Sequence, residues 1–224
     1  MERNKNSESN KSLIVIWKEN FKTKNFKAEF FFTIISLVVL LFLFTRFLIF
    51  VEGRNGVAFN DPFLSLFNPI DTNLLTFGLI YISIFTGIFS LLKTPPNLVL
   101  ALQAYVLMLI FRTLAMYSLP LDSPPTMIPL VDPIVKYLGT GIMPNKDFFF
   151  SGHTATLFLL FLVSEKKIFK VIFLICTIIV GFSVILQHTH YTVDVLAAPF
   201  FSYGAYRIVT VLKSKFKSNQ TLTN

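Results

Sequence analysis

The sequence predicts an all-α fold: a polytopic membrane protein built as a six-transmembrane-helix bundle, with both termini on the cytoplasmic side. Three observations carry this. The 224 residues are 54% hydrophobic and 14% charged, whereas ordinary soluble domains carry about 25% charged residues. The apolar residues gather into runs close to the ~20 needed to cross a hydrocarbon core. The basic residues alternate between the connecting segments as the positive-inside rule requires.

Residues 1–27 are polar and basic, with Arg3, Lys5, Lys11, Lys18, Lys22, Lys24 and Lys27. They do not read as a secretory signal, because the apolar run behind them is too long and no small-residue cleavage site follows it. Within them, Leu13–Phe21 with Trp17 suits a helix lying on the membrane surface, and a loose tail suits it equally. The catalytic membrane unit is expected over 28–212, with a cytoplasmic tail over 213–224.

The six expected spans are 29–51, 73–92, 98–119, 148–164, 168–187 and 190–211. Asp71-Thr72 reads as the cap of the second. The fourth opens on polar Ser-Gly-His-Thr, and the sixth carries Asp194 and is interrupted by Pro199 and Gly204. Between the third and fourth, residues 120–147 form a proline-rich extracytoplasmic loop (Pro120, Pro124, Pro125, Pro129, Pro133, Pro144). Such a loop is either a functional lid or a connection stiffened by proline. The 27 phenylalanines read mostly as lipid-facing bulk.

Of the 20 Lys and Arg, 15 fall in segments on the side of the N-terminus. The outer segments keep Arg54, Lys136 and Lys146, and Arg46 and Arg112 fall within spans. The net charge of +8 is thus orientation charge, and no nucleic-acid partner is needed to explain it. Cys176 is the single cysteine, so no internal disulfide forms. A Lys/Asn/Ile/Phe-rich composition hints at an AT-rich bacterial genome, which points to a bacterial cytoplasmic membrane.

Chemistry concentrates at the outer surface. His190 and Asp194 are four residues apart, so on a helix they share a face. A carboxylate bonded to Nδ1–H fixes the imidazole tautomer and leaves Nε2 as nucleophile or base. An ionisable residue inside a span is costly and marks function by default, the plainer reading being a polar pair that locks two helices. Ser151-Gly152-His153-Thr154 opens the fourth span on the same side. A helix N-terminus with a glycine admits an anion to its backbone N–H groups, and Ser151 and Thr154 add hydroxyls. Ser and Thr are also ordinary caps. His153 and His190 together suit attack on phosphorus by one imidazole and protonation of the leaving oxygen by the other. Two His and one Asp have some metal-ligand character, but phosphohistidine chemistry needs neither metal nor cofactor, and none is expected.

These residues resemble the type 2 phosphatidic acid phosphatase (lipid phosphate phosphatase) superfamily, and more closely its sphingomyelin synthase branch. Asp147-Phe-Phe-Phe-Ser-Gly-His153-Thr154 is similar to that branch's Asp-x-x-Phe-Ser-Gly-His-Thr block. His188-Thr-His190-Tyr-Thr-Val-Asp194-Val is similar to its His-x-His-Tyr-Thr-x-Asp-Val block, and Phe111-Arg112-Thr-Leu-Ala-Met-Tyr117 to its Tyr-Arg-x-x-x-Met-Tyr region. The resemblance covers roughly 100–207. It implies a phosphohistidine on His190, oriented by Asp194, with His153 as acid and then base. Arg112, Ser151, Gly152, Thr154, Asp147 and Tyr191 become candidates for holding the phosphate or headgroup. Their plainer roles are snorkelling for Arg112, capping for Ser151 and Thr154, solvation for Asp147 and interfacial packing for Tyr191. His188, two residues from His190, is a weak supporting candidate.

The departures from the phosphatase branch concern charge. That branch has Lys-x6-Arg-Pro and a Ser-Arg pair before the last His. Here Thr113 follows Arg112, Tyr105 stands where the Lys would be, and Val184 follows Ser183. A phosphate monoester is nearly a dianion and needs more cationic contacts than a diester. The resemblance therefore implies a transferase moving a phospho-headgroup from a membrane phospholipid donor to a lipid-alcohol acceptor such as ceramide. Lys136 or Lys146 from the loop are the residues able to replace the missing cations. A lipid phosphate phosphatase and a non-catalytic membrane protein are the alternatives.

Overall fold

The computed structural model describes residues 12–133, 146 and 148–222, with side chains up to Phe216. Asp147, Lys136 and most of the second half of the proline-rich loop lie outside the described residues. Among the described residues there are seven α-helices and no strand: α1 Leu13–Phe21, α2 Lys24–Glu52, α3 Asn73–Leu91, α4 Pro95–Ser118, α5 Gly152–Val163, α6 Lys167–Leu186 and α7 Thr192–Leu222.

Five of these, α2, α3, α4, α6 and α7, are long and apolar enough to cross a membrane. The fourth expected span differs. The helix there, α5, has 12 residues, or about 18 Å at 1.5 Å per residue, short of a ~30 Å hydrocarbon core. Its apolarity has another cause. It packs against α3, α4, α6 and α7, and Ala155, Leu157, Leu159, Leu160 and Val163 are buried. A helix enclosed on every side is apolar all round whether or not it faces lipid. By contrast, only 6% of the apolar window of α2 is buried, and Phe31, Phe32, Ile35, Val38 and Phe42 project outward.

The helices run past several sequence-based ends. α2 begins at Lys24, inside the basic segment, and α7 continues to Leu222 through the expected tail. Neither stretch contains the Gly or Pro that would end it. α7 also runs unbroken through Pro199 and Gly204, because apolar surroundings offer backbone groups no partner but the helix itself. At the start of α3, Asp71 alone caps, its Oδ1 accepting from Asn73 N–H at 2.9 Å. The Thr72 hydroxyl donates instead to the Ser183 carbonyl at 2.9 Å, tying α3 to α6.

α1 folds back on the bundle. Trp17 Nε1 donates to the Leu92 carbonyl at 3.0 Å, in the turn between α3 and α4. Its ring meets Phe21, Phe26 and Phe30, while Ile14 and Val15 remain exposed.

Candidate functional site

Two short sequences meet where α5 and α7 begin. Ser151 caps α5: its Oγ accepts from Thr154 N–H (3.4 Å) and from the Thr154 hydroxyl (3.1 Å). Its own N–H donates to the Asp194 carbonyl at 3.0 Å, joining Ser-Gly-His-Thr to the first turn of α7. Gly181 on α6 permits this close packing, since a Cβ there would stand 3.0 Å from Val195 Cγ1 and 3.8 Å from Thr154 Cγ2.

His190 Nδ1 lies 3.3 Å from Asp194 Oδ2, and the same oxygen accepts Tyr191 N–H at 3.2 Å. His190 is 3% exposed and Asp194 is fully buried. Asp194 Oδ1 is buried without a hydrogen-bond partner among the described residues. A buried carboxylate oxygen without a partner is expensive. His153 is half-buried on the first turn of α5. Each imidazole is held by a phenylalanine edge: Phe77 against His153 (5.8 Å, 86°) and Phe148 against His190 (5.9 Å, 83°). Phe150, fully buried, stacks on Phe201 at 4.4 Å and 7°, a pair worth about 1 kcal/mol beyond its burial. These phenylalanines frame the site rather than face lipid. The sequence signal, three Phe directly before Ser-Gly-His, is hidden by the Phe-rich background.

Arg112 on α4 is 5% exposed, so it turns inward rather than snorkelling to the membrane surface. Its guanidinium covers Gly152: a Cβ at that position would lie 1.7 Å from Nη1. Its Cζ stands 6.0 Å from the Phe150 ring centroid. Arg112 thus lies against Gly152, and the adjacent Ser151 is bonded to the His190–Asp194 turn. Arg46 is exposed on α2.

Other candidates are engaged elsewhere. The Tyr191 hydroxyl donates to the Asp122 carbonyl (2.9 Å) and accepts from Phe59 N–H (3.1 Å), with no exposed surface. It clasps the loops that carry Phe59 and Asp122 to the start of α7. Lys146 Nζ is paired with Asp122 Oδ1 (2.8 Å) and donates to the Arg54 carbonyl (2.7 Å). Arg54 in turn donates to the carbonyls of Tyr117 and Met116 at the end of α4, both at 2.9 Å. These two cations fasten loops to helix ends.

His188 has a conformational role. Its φ of 55° is left-handed, and His188 N–H bonds to Ile185 O while Thr189 N–H bonds to Val184 O. This is the Schellman ending of α6 with His where Gly is usual. Its Nδ1 lies 2.6 Å from Thr126 Oγ1, and its Nε2 is buried without a partner among the described residues. Burial pushes its pKa below the ordinary 6.5, partly opposed by the charge of Asp61. The unfolded chain then binds the proton more readily, so stability is full above 6.5 and is lost as pH falls below it. The thermal midpoint is expected to drop between pH 7.5 and 5.5. His188→Asn, which tolerates the left-handed turn and does not titrate, is expected to flatten that slope. An identical slope in the variant would refute the assignment.

Two further residues position the site without a readable signal. Asp61 Oδ2 accepts Thr192 N–H at 2.6 Å, capping α7 from the loop between α2 and α3, and Oδ1 accepts Phe63 N–H at 2.9 Å. Burial raises the Asp61 pKa, but hydrogen bonds from Thr192, Phe63 and Leu64 outweigh it and leave the carboxyl below its usual value. Gln187, fully buried, accepts from Thr72 and donates to the Ile128 and Pro129 carbonyls. The first half of the proline-rich loop is thereby laid over the turn that bears His188 and His190. Among the described residues no group of three or more His, Cys, Asp or Glu is arranged to hold a metal ion.

Residues 146–211 match the family model described as PAP2 superfamily C-terminal, a span that includes His153, His190 and Asp194. Searches of curated proteins and of solved structures each returned no match. The matched segment, less than a third of the chain, is similar to the C-terminal part of the PAP2 superfamily, whose members are generally phosphatases or phosphotransferases.

Proposed function

We propose that the chain is a lipid phosphotransferase resembling the sphingomyelin synthase branch, working through a phosphohistidine. Its bundle would cross the membrane six times, the short α5 being completed as a crossing by the extended residues that flank it within 148–164, with both termini cytoplasmic and the histidines on the extracytoplasmic side. The Lys/Arg distribution supports that orientation. The observation that supports the reading is the hydrogen bond between Ser151 N–H and the Asp194 carbonyl, which joins the turn that carries Gly152 and His153 to the turn that carries His190 and Asp194.

The reaction has two displacements. His190 Nε2 attacks the phosphorus of a phospholipid, forming P–N as the bond to the diacylglycerol oxygen breaks. His153 gives its proton to that oxygen. A lipid alcohol then loses its proton to His153 and attacks phosphorus, breaking P–N and restoring His190. Asp194 stabilises the imidazolium character that develops on His190.

Charge supports a diester donor. Among the described residues Arg112 is the cation against Gly152, while Arg54 is committed to carbonyls at the end of α4 and Lys146 to Asp122. One guanidinium suits a single negative charge better than a dianion. Purified protein given headgroup-labelled phosphatidylcholine or phosphatidylethanolamine should pass label to ceramide when ceramide is added. Turnover confined to phosphate monoesters, with release of free phosphate, would replace this reading with the phosphatase. Gly152→Ala forces Arg112 out of place, and the transfer rate is expected to fall roughly 10–100-fold with unchanged helix content by circular dichroism. Full activity in that variant removes Arg112 from the mechanism.

A further inference from the structure

His188 takes no part in the proposed reaction, yet it is the most enclosed of the three histidines, 1% exposed. It sits at the left-handed end of α6, with φ 55°, a position where glycine is usual and a side chain is strained. That turn aims the imidazole at the proline-rich loop. Its Nδ1 meets Thr126 Oγ1 at 2.6 Å, and the ring lies against Phe67 at 5.1 Å. Gln187 grips the same stretch. Its carbonyl accepts Ile128 N–H at 3.1 Å, and its Nε2 donates to the Ile128 and Pro129 carbonyls, both at 3.2 Å. Residues 126–129 are thus held by two residues that lead into His190. The earlier part of the loop has a separate anchor: Val57 N–H donates to the Pro120 carbonyl at 2.9 Å, and Asp122 N–H to the Val57 carbonyl at 3.1 Å.

The surroundings of His188 suit a neutral ring. With Nδ1–H donating to the Thr126 hydroxyl, Nε2 is a lone pair, buried without a partner among the described residues. Protonation puts an N–H and a charge there with no acceptor, and such a group is costly to bury. Asp61 is the carboxylate whose charge reaches the ring, but its two oxygens are engaged by Thr192 N–H at 2.6 Å and Phe63 N–H at 2.9 Å. The other described carboxylates on the surrounding elements have partners of their own. Asp122 faces Lys146, Asp194 faces His190, Asp132 takes the Tyr81 hydroxyl, and Asp71 caps α3. Once the loop lifts, the ring reaches water and takes its proton near the ordinary 6.5. Acid therefore favours the lifted state.

We propose that His188 is a pH-sensitive latch: neutral, it holds residues 126–129 over the turn that bears His190, and protonated, it releases them. The latch is independent of which reaction His190 performs. It is tested by hydrogen–deuterium exchange of the detergent-purified full chain, resolved to single amides by fragmentation and corrected for the intrinsic pH dependence of exchange. Protection of the Ile128 amide should fall about three- to tenfold between pH 7.5 and 5.5, the ratio set by a group that titrates near 6.5 in the lifted state and lower in the latched one. The Asp122 amide, on its separate anchor, should keep its protection, which distinguishes the latch from unfolding in acid. His188→Asn tolerates the left-handed turn and does not titrate, so Ile128 protection should become independent of pH over that range. Thr126→Val removes the loop's side of the contact and should lower Ile128 protection about fivefold at pH 7.5, the effect of one hydrogen bond. His190→Ala should leave the pH response intact, which separates His188 from any titration of His190. No response in the wild-type chain, the same response in His188→Asn or at Asp122, its loss in His190→Ala, or unchanged Ile128 protection in Thr126→Val overturns the proposal.

Discussion

His190→Ala is expected to lower lipid phosphotransfer by roughly 10⁴-fold or more, to the level of an uncatalysed background. In the proposed mechanism the covalent route disappears with the nitrogen that forms P–N, and among the described residues neither of the other two histidines is placed to replace it. His188 is held in the turn by Thr126 and the end of α6, and His153 belongs to the other helix. The substitution also leaves Asp194 buried without its partner, so the fold should be checked by thermal unfolding. His190→Gln keeps a hydrogen-bond donor near Asp194 Oδ2 without a nucleophilic nitrogen, and it should be equally inactive. Activity within tenfold of wild type in either folded variant would place the chemistry elsewhere or make the chain non-catalytic.

Asp194→Asn is expected to cost roughly 10²–10⁴-fold. The amide is nearly isosteric but carries no charge to stabilise the imidazolium character that develops on His190. It can also turn its NH₂ toward Nδ1, favouring the wrong tautomer. Oδ2 further accepts Tyr191 N–H, so the variant should retain the start of α7 if the amide oxygen keeps that bond. The loss should lie in kcat more than in KM, because the carboxylate acts on a charge that develops after binding. A change confined to KM would assign Asp194 to binding.

How much of this was readable from sequence depended on the kind of interaction. Long lipid-facing helices announce themselves by hydropathy, and the expected 73–92 matches α3, Asn73–Leu91, within a residue. α5, Gly152–Val163, is shorter than the expected 148–164 because hydropathy does not distinguish lipid from protein as an apolar surrounding. The His–Asp spacing and the Ser-Gly-His turn were visible because helix geometry puts i and i+4 together and caps lie at fixed offsets. What was not visible came from contacts between loops. Asp61 caps α7 across a long sequence separation, Arg54 closes α4, and Gln187 joins three segments. None of these follows a local period. The inward turn of Arg112 was undecided in sequence, because a long side chain on a helix reaches either the surface or the interior. Its position over Gly152 is a property of packing.

The most direct measurement is to trap the intermediate. The purified chain is mixed with a phospholipid donor labelled at phosphorus, without acceptor, quenched in denaturant and examined by peptide mass spectrometry. The account predicts an acid-labile, base-stable phospho-headgroup on the peptide containing His190. That label should disappear on adding ceramide and be absent in His190→Ala. Turnover by the wild-type chain with no label on that peptide, or label that persists in His190→Ala, would contradict it.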